Sequence, residues 1–114
     1  MAKSLDFNSL QRPTLELTMC DDAQTKIRLV CPYEKLIEKL ETVGPELTET
    51  MKKNDASAIR AVYEFAAELF SCNDMGTKIT AEDIRDKYRL GLESMIVFFS
   101  AYVDFIDEIK NAKN

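Results

Sequence analysis

Apolar and polar residues alternate near the start of the chain, over residues 14–19 and again over residues 26–31, where Val30 is an exception. Such alternation is typical of β-strands with one buried face, and the polar run DDAQ in its middle indicates a turn. The pattern therefore predicts a β-hairpin over residues 14–31. Because the two apolar sets must share one face, Leu17 should pair with either Ile27 or Leu29. The apolar face consists of Leu15, Leu17, Met19, Ile27, Leu29 and Cys31.

From Pro32 onward the apolar positions recur at helical spacing, which predicts a helical body over residues 32–114. Pro32 suits the first turn of a helix, where a missing N–H costs nothing. Gly44 and Pro45 should break or kink this first helix, with a shorter piece continuing to Lys53. We predict a mainly α fold of the α+β class, in which the hairpin packs on a bundle of about four to five helices.

A second long helix and a capped short helix are expected next. Asp55 is a candidate N-cap for a helix that runs from Ala56 to about Ser71. The spacing of Thr80 and Asp83 is that of a capping box, which predicts a short helix ending near Tyr88. A final helix follows this short one.

The final helix, residues 92–109, is more hydrophobic than a surface helix should be. Its apolar positions cover about 220° of the helical wheel, whereas an ordinary surface helix has a stripe of about 100°. They form two neighbouring faces, of which the first has the mixed aliphatic shape of a core. The first face consists of Leu92, Met95, Ile96, Phe99, Val103 and Ile106, and the second of Phe98, Ala101, Tyr102, Phe105 and Ile109.

The second face has two interpretations, which the sequence leaves open. It is either enclosed by the rest of this chain or meets another protein. Aromatic residues are enriched at interface cores, and a helix lying in a groove uses this spacing. The candidate partner-binding residues are therefore Phe98, Tyr102, Phe105 and, from the preceding long helix, Phe65. Self-association is a second use of the same surface.

Length and charge narrow the classes of function. A chain of 114 residues is expected to form one domain, 1–114, with residues 1–13 as a leader that Leu5, Phe7 and Leu10 attach to the body. The net charge of −5 argues against binding to nucleic acid or an anionic membrane. Charges interrupt the last apolar run, and the start lacks the apolar core of a signal peptide. We therefore expect a cytoplasmic protein without nucleic-acid or membrane partners.

The residue types that carry most catalysis and metal binding are scarce. There is no histidine, and the three cysteines form no CxxC motif, so neither a zinc site nor a disulfide framework is expected. Cys72 lacks the positive surroundings of a reactive thiol. The nearby carboxylates Asp104, Asp107 and Glu108 have the arrangement of a solvated helix surface. We therefore predict a protein that is not an enzyme and uses no cofactor.

The segment from Ser71 to Asp83 superficially has the layout of a calcium-binding loop. With Gly76 as the loop glycine, the first, third and fifth ligand positions fall on Ser71, Asn73 and Met75. Methionine cannot serve as a calcium ligand, so a plain turn between helices is the better interpretation and no metal site is expected.

The order of the parts resembles a known group of proteins. The chain has a leader and first strand reading LDFNSLQRPTLELTM, a second strand reading KIRLVCP, and a helical end reading KYRLGLESMIVFFSAYVDFIDEI. In this layout it resembles the tail assembly chaperones of tailed bacteriophages and prophages of Gram-positive bacteria. The resemblance implies a non-catalytic, chaperone-like role in tail morphogenesis in the host cytoplasm, with the helical tape-measure protein or another tail protein as partner. The alternatives are a structural tail component and a small acidic regulatory or inhibitor binding protein.

Overall fold

The computed structural model describes residues 13–53 and 56–111, without the side chains of residues 48 and 50–53. Within this part of the chain, a two-stranded antiparallel sheet is followed by three α-helices and one π-helical turn. The elements are β1 Leu15–Thr18, β2 Lys26–Leu29, α1 Glu34–Lys53, α2 Ala56–Phe70, the π turn Asp83–Lys87 and α3 Leu92–Asn111. The predicted α+β class, mainly α, is confirmed. Asp55 and the leader up to residue 12 lie outside the described residues.

The hairpin has the first of the two predicted registers. Leu17 pairs with Ile27, and Leu15 pairs with Leu29. Ile27 and Leu29 are buried and the two leucines of β1 are half-buried, whereas the alternate residues of both strands are exposed. One face of the hairpin therefore packs on the helical body, as the alternation predicted.

The second edge of β2 is occupied by a segment that follows α2. An isolated antiparallel bridge joins Leu29 to Asn73, and the Val30 N–H donates to the Cys72 carbonyl at 2.9 Å. Isolated two-stranded hairpins are only marginally stable in water. The return of the chain after α2 therefore supplies the hairpin with both hydrogen bonds and a hydrophobic support.

Helix α1 continues without a break through Pro45. Of the predicted break or kink at Gly44 and Pro45, the break is therefore wrong. Proline cannot donate the hydrogen bond to the carbonyl of Glu41, a loss that is costly in a helix interior. The helix persists because residues on both sides of the proline are anchored, with Leu40 and Leu47 both buried. Tertiary packing overrides local propensity at this position.

The core is organised around α2. Seven of the fifteen residues of α2 are buried, and this helix contacts α1, α3, β2 and the π turn. Val62, Ala66 and Leu69 have no exposed surface at all. A single hydrophobic cluster therefore extends from the hairpin to the last helix.

The connection from α2 to α3 contains the predicted capping box. The Thr80 N–H donates to the Asp83 carboxylate and the Asp83 N–H donates to the Thr80 hydroxyl, both at 3.1 Å. The short helix that follows is wound as a π turn, with the Tyr88 N–H donating to the Asp83 carbonyl at 2.9 Å. The Tyr63 hydroxyl of α2 donates to the Leu90 carbonyl at 3.0 Å and fixes the start of α3.

Candidate functional site

The four aromatic residues predicted to bind a partner lie in the core instead. Phe65, Phe98, Tyr102 and Phe105 are all buried, with at most 6% of each residue exposed. Of the two interpretations left open by the sequence, this burial favours the one in which the chain itself encloses these residues. The aromatic residues of α3 pack against other residues of this chain.

Ring contacts explain why these residues are buried. Phe98 meets Phe70 of α2 edge-to-face, with ring centroids 4.7 Å apart, and Phe65 stacks on Phe99 at 5.8 Å. Along α3 itself, Tyr102 lies 5.4 Å from Phe98 and 5.6 Å from Phe105. Aromatic pairs at these distances stabilise a core beyond their area burial. Ring contacts thus hold α3 against α2 through Phe98 of the second face and Phe99 of the first.

The first face of α3 is only partly covered. Phe99 and Ile106 are buried, as expected of a core face, but Ile96 is 51% exposed and Val103 is 46% exposed. The expectation that the whole face belongs to the core is therefore wrong at these two positions. The surplus apolar surface of the last helix exists, but on the first of its two neighbouring apolar faces, whereas the second had been the candidate.

The residues of this face have the spacing of a helix that packs against another helix. Ile96, Phe99, Val103, Ile106 and Lys110 follow one another at intervals of three and four residues. This is the a/d spacing of a coiled-coil seam, whose side chains insert between those of a facing helix. We call these five residues the α3 seam. Its buried members contact this chain, and its exposed members face outward.

The α3 seam forms one wall of an apolar groove beside α1. This α1/α3 groove has a volume of about 470 Å³. Leu40, Phe99 and Ile106 form its buried floor, while Ile96 and Val103 remain accessible. The groove is lined by Leu40, Glu41, Gly44, Pro45, Ile96, Phe99, Ser100, Val103, Ile106, Asp107 and Lys110.

The sequence of α1 explains why the groove is open. Gly44 has no side chain and Pro45 has a short ring, and both line the groove on the α1 side. A Cβ atom added at Gly44 would meet no atom closer than 3.8 Å, so the helix surface there is unfilled. The glycine–proline pair, which the sequence suggested as a helix break, instead leaves space between two helices.

The rim of the groove carries charge at one end. The Lys110 ammonium forms an ion pair with the Glu41 carboxylate, and this hydrogen bond raises the pKa of Lys110. Asp107 contributes a second carboxylate to the same end. One cation and two anions leave this part of the rim with a net negative charge.

A second groove lies on the other side of α3, beside β1. It has a volume of about 560 Å³, and its lining includes Leu17, Phe98 and Val97. Val97 is 70% exposed and does not belong to the α3 seam. This position therefore offers a matched comparison for substitutions within the α1/α3 groove.

The segment compared with a calcium loop is held by its own hydrogen bonds. The Asn73 side-chain amide donates to the carbonyls of Phe70 and Thr77, and its oxygen accepts the N–H groups of Met75 and Thr77. The only oxygen of this side chain is thus directed at backbone donors. Within the described ranges 13–53 and 56–111, no group of three or more potential ligands could hold a metal ion.

The remaining candidates for chemistry have ordinary surroundings. Asp104, Asp107 and Glu108 are exposed on α3, in agreement with a solvated surface. Burial raises the pKa of the Cys72 thiol, which disfavours the reactive thiolate. Of the helices that the structure describes, none is long and apolar enough to cross a membrane.

No protein-family model, curated protein sequence or solved structure matches this chain. The site therefore rests on its own geometry. Sequence reasoning missed the accessible pair Ile96 and Val103, because both apolar faces of α3 look alike on a helical wheel. The signal available in the sequence was the three- and four-residue spacing of the α3 seam. This spacing indicates a helix-packing surface, but it does not tell which chain supplies the facing helix.

Proposed function

We propose that this chain is a non-catalytic binding protein that holds an apolar helical segment of another protein in the α1/α3 groove. The observation that carries this proposal is the incomplete burial of the α3 seam, where Ile96 and Val103 stay accessible above a buried floor. A helix-in-groove contact uses anchors at this spacing. Reversible apolar contacts of this kind suit a chaperone, which must release its client.

The resemblance to tail assembly chaperones gives the proposal its biological setting. We propose that the client is the tape-measure protein of a tailed phage or prophage, bound in the host cytoplasm before tube subunits surround it. The net charge of −5 would help to keep such a complex soluble.

The direct test is co-purification of the chain with the tape-measure protein after co-expression. Replacement of both Ile96 and Val103 by Glu should abolish co-purification, because two charges would be buried against apolar surface. Both side chains are about half-exposed in the unbound chain, so the helical fold, checked by circular dichroism, should persist. Val97→Glu is the matched control for each single substitution, because it adds one such charge to α3 outside the groove, and it should leave co-purification intact.

Four results would contradict the proposal. The wild-type chain would fail to retain the tape-measure protein, or the double variant would retain it as well as the wild type. Detection of the chain in purified phage particles by mass spectrometry would instead identify a structural tail component. Genes for regulation in place of tail genes beside its own gene would favour a regulatory or inhibitor binding protein.

A further inference from the structure

We infer that the occupant of the α1/α3 groove is an amphipathic helix from a different chain, with basic residues flanking its apolar stripe. This inference rests on the proposed function and specifies the chemistry of its partner. It follows from the shape of the groove and from the charges around it.

The shape of the groove selects a helix. Ile96 and Val103 are seven residues apart, which places them two turns apart on the same line of α3. The spaces between them are bounded by the floor of the groove and by Ser100, which also lines it. A facing helix fills such spaces with apolar side chains repeated every three to four residues, whereas an extended strand, with a two-residue repeat, does not.

The charges around the groove indicate the charge of the residues that flank the apolar stripe of that helix. α3 carries four carboxylates, Glu93, Asp104, Asp107 and Glu108, against Lys110 as its one basic residue. That lysine pairs with Glu41 across the groove and also interacts with Asp107, so these three groups together keep a net charge of −1. Of the four carboxylates of α3, Asp107 lines the groove; a partner with Lys or Arg beside its apolar stripe would meet it, and a partner with Asp or Glu would be repelled.

The same charges disfavour a second copy of this chain as occupant. Two α3 helices brought together would juxtapose two acidic surfaces, each with a net charge of −3 from the five charged residues of α3. Like charges at close range oppose association and discriminate against the wrong partner.

The test uses the full chain and two synthetic helical peptides with one apolar stripe in common. One peptide carries Lys at the positions flanking the stripe, and the other carries Glu there. Fluorescence anisotropy should give a Kd about tenfold lower for the basic peptide, the sum of a few rim ion pairs of modest strength. Raising the ionic strength from about 0.1 M to about 1 M should shrink this difference, because the Debye length falls from about 10 Å to about 3 Å.

Charge reversal at the rim provides the sharper comparison. Asp107→Lys should weaken binding of the basic peptide and strengthen binding of the acidic one, each by about threefold. Glu108→Lys makes the same change of charge at the next residue, which does not line the groove, and should have a smaller effect. Equal effects of the two variants, or equal binding of the two peptides, would overturn the inference.

The inference and the proposed function fail in different ways. If Ile96→Glu abolishes peptide binding but the wild-type chain binds the two peptides equally well, the groove is a helix-binding site and only the prediction of basic flanks is wrong. If neither peptide binds and Ile96→Glu does not change co-purification with the tape-measure protein, both the inference and the proposed function are wrong. A dimer of the chain alone, detected by light scattering and removed by Ile96→Glu, would identify a second copy as the occupant.

Discussion

The hydroxyl of Tyr102 offers the most decisive test of the core. Tyr102 is fully buried, and among the described residues its hydroxyl oxygen has no hydrogen-bond partner. A buried polar group without a partner costs about 1–3 kcal/mol. The substitution Tyr102→Phe removes that group and keeps the ring that packs on Phe98 and Phe105. We therefore expect the variant to be more stable than the wild type by about 1 kcal/mol.

The expected change is large enough to measure by thermal unfolding. Unfolding entropies are about 2.1 cal/mol/K per residue, or about 0.24 kcal/mol/K for 114 residues. A gain of about 1 kcal/mol should thus raise Tm by about 4 °C. Tyr63→Phe is the matched control with the opposite sign, because the Tyr63 hydroxyl donates to the Leu90 carbonyl. That variant should lose about 1 kcal/mol.

The pH dependence gives an independent readout of the same group. Burial raises the pKa of Tyr102 above the ordinary value of 10.0. Above pH 10 the unfolded chain therefore releases this proton while the folded chain keeps it, so unfolding becomes more favourable as the pH rises. The stability advantage of Tyr102→Phe should grow above pH 10. A variant that is less stable than the wild type, with an unchanged pH profile, would refute an unpaired buried hydroxyl at this position.

Four further substitutions, of which Val97→Ala is a control, test the packing and the turns by urea unfolding. Phe98→Ala should lower the free energy of unfolding by about 3–5 kcal/mol, since it empties a buried site, whereas Val97→Ala should change it by no more than about 0.5 kcal/mol. Similar losses in both would contradict the orientation of α3. Asn73→Ala should cost about 2 kcal/mol because it leaves one buried and three part-buried backbone partners without this side chain, and a neutral result would exclude the hydrogen-bonded turn. Pro45→Ala should raise stability by up to about 3 kcal/mol, and a decrease would mean that the proline stabilises α1 in a way that helix propensity does not describe.

Much of the fold follows from local patterns in the sequence. The alternation around Leu17 and Ile27 predicted the hairpin and narrowed its register to two choices, because one apolar face must be shared. The spacing of Thr80 and Asp83 predicted the capping box, whose hydrogen bonds involve only neighbouring residues. Features of this kind depend on contacts a few residues apart.

The orientation of α3 and the course of α1 could not be predicted in this way. Both apolar faces of α3 are hydrophobic enough for a core, and the choice between Phe98 and Ile96 depends on which side α2 occupies. Pro45 locally disfavours a helix, yet the burial of Leu40 and Leu47 keeps α1 continuous. In both cases contacts distant along the chain decide the outcome, and a single sequence does not encode them in a local pattern.

The hydrogen bond between Val30 and Cys72 means that α1 and α2 are inserted between two segments of the β-structure. The chain leaves the sheet at Val30, builds α1 and α2, and returns to within 2.9 Å of its point of departure. One additional turn in each helix would lengthen the closed segment by about seven residues, at a loop-closure cost of only about 0.1 kcal/mol. The pair of helices can therefore change in length during evolution without disturbing the sheet. Because α1 forms one wall of the α1/α3 groove, such changes would adjust the length of that wall while the rest of the fold stays constant.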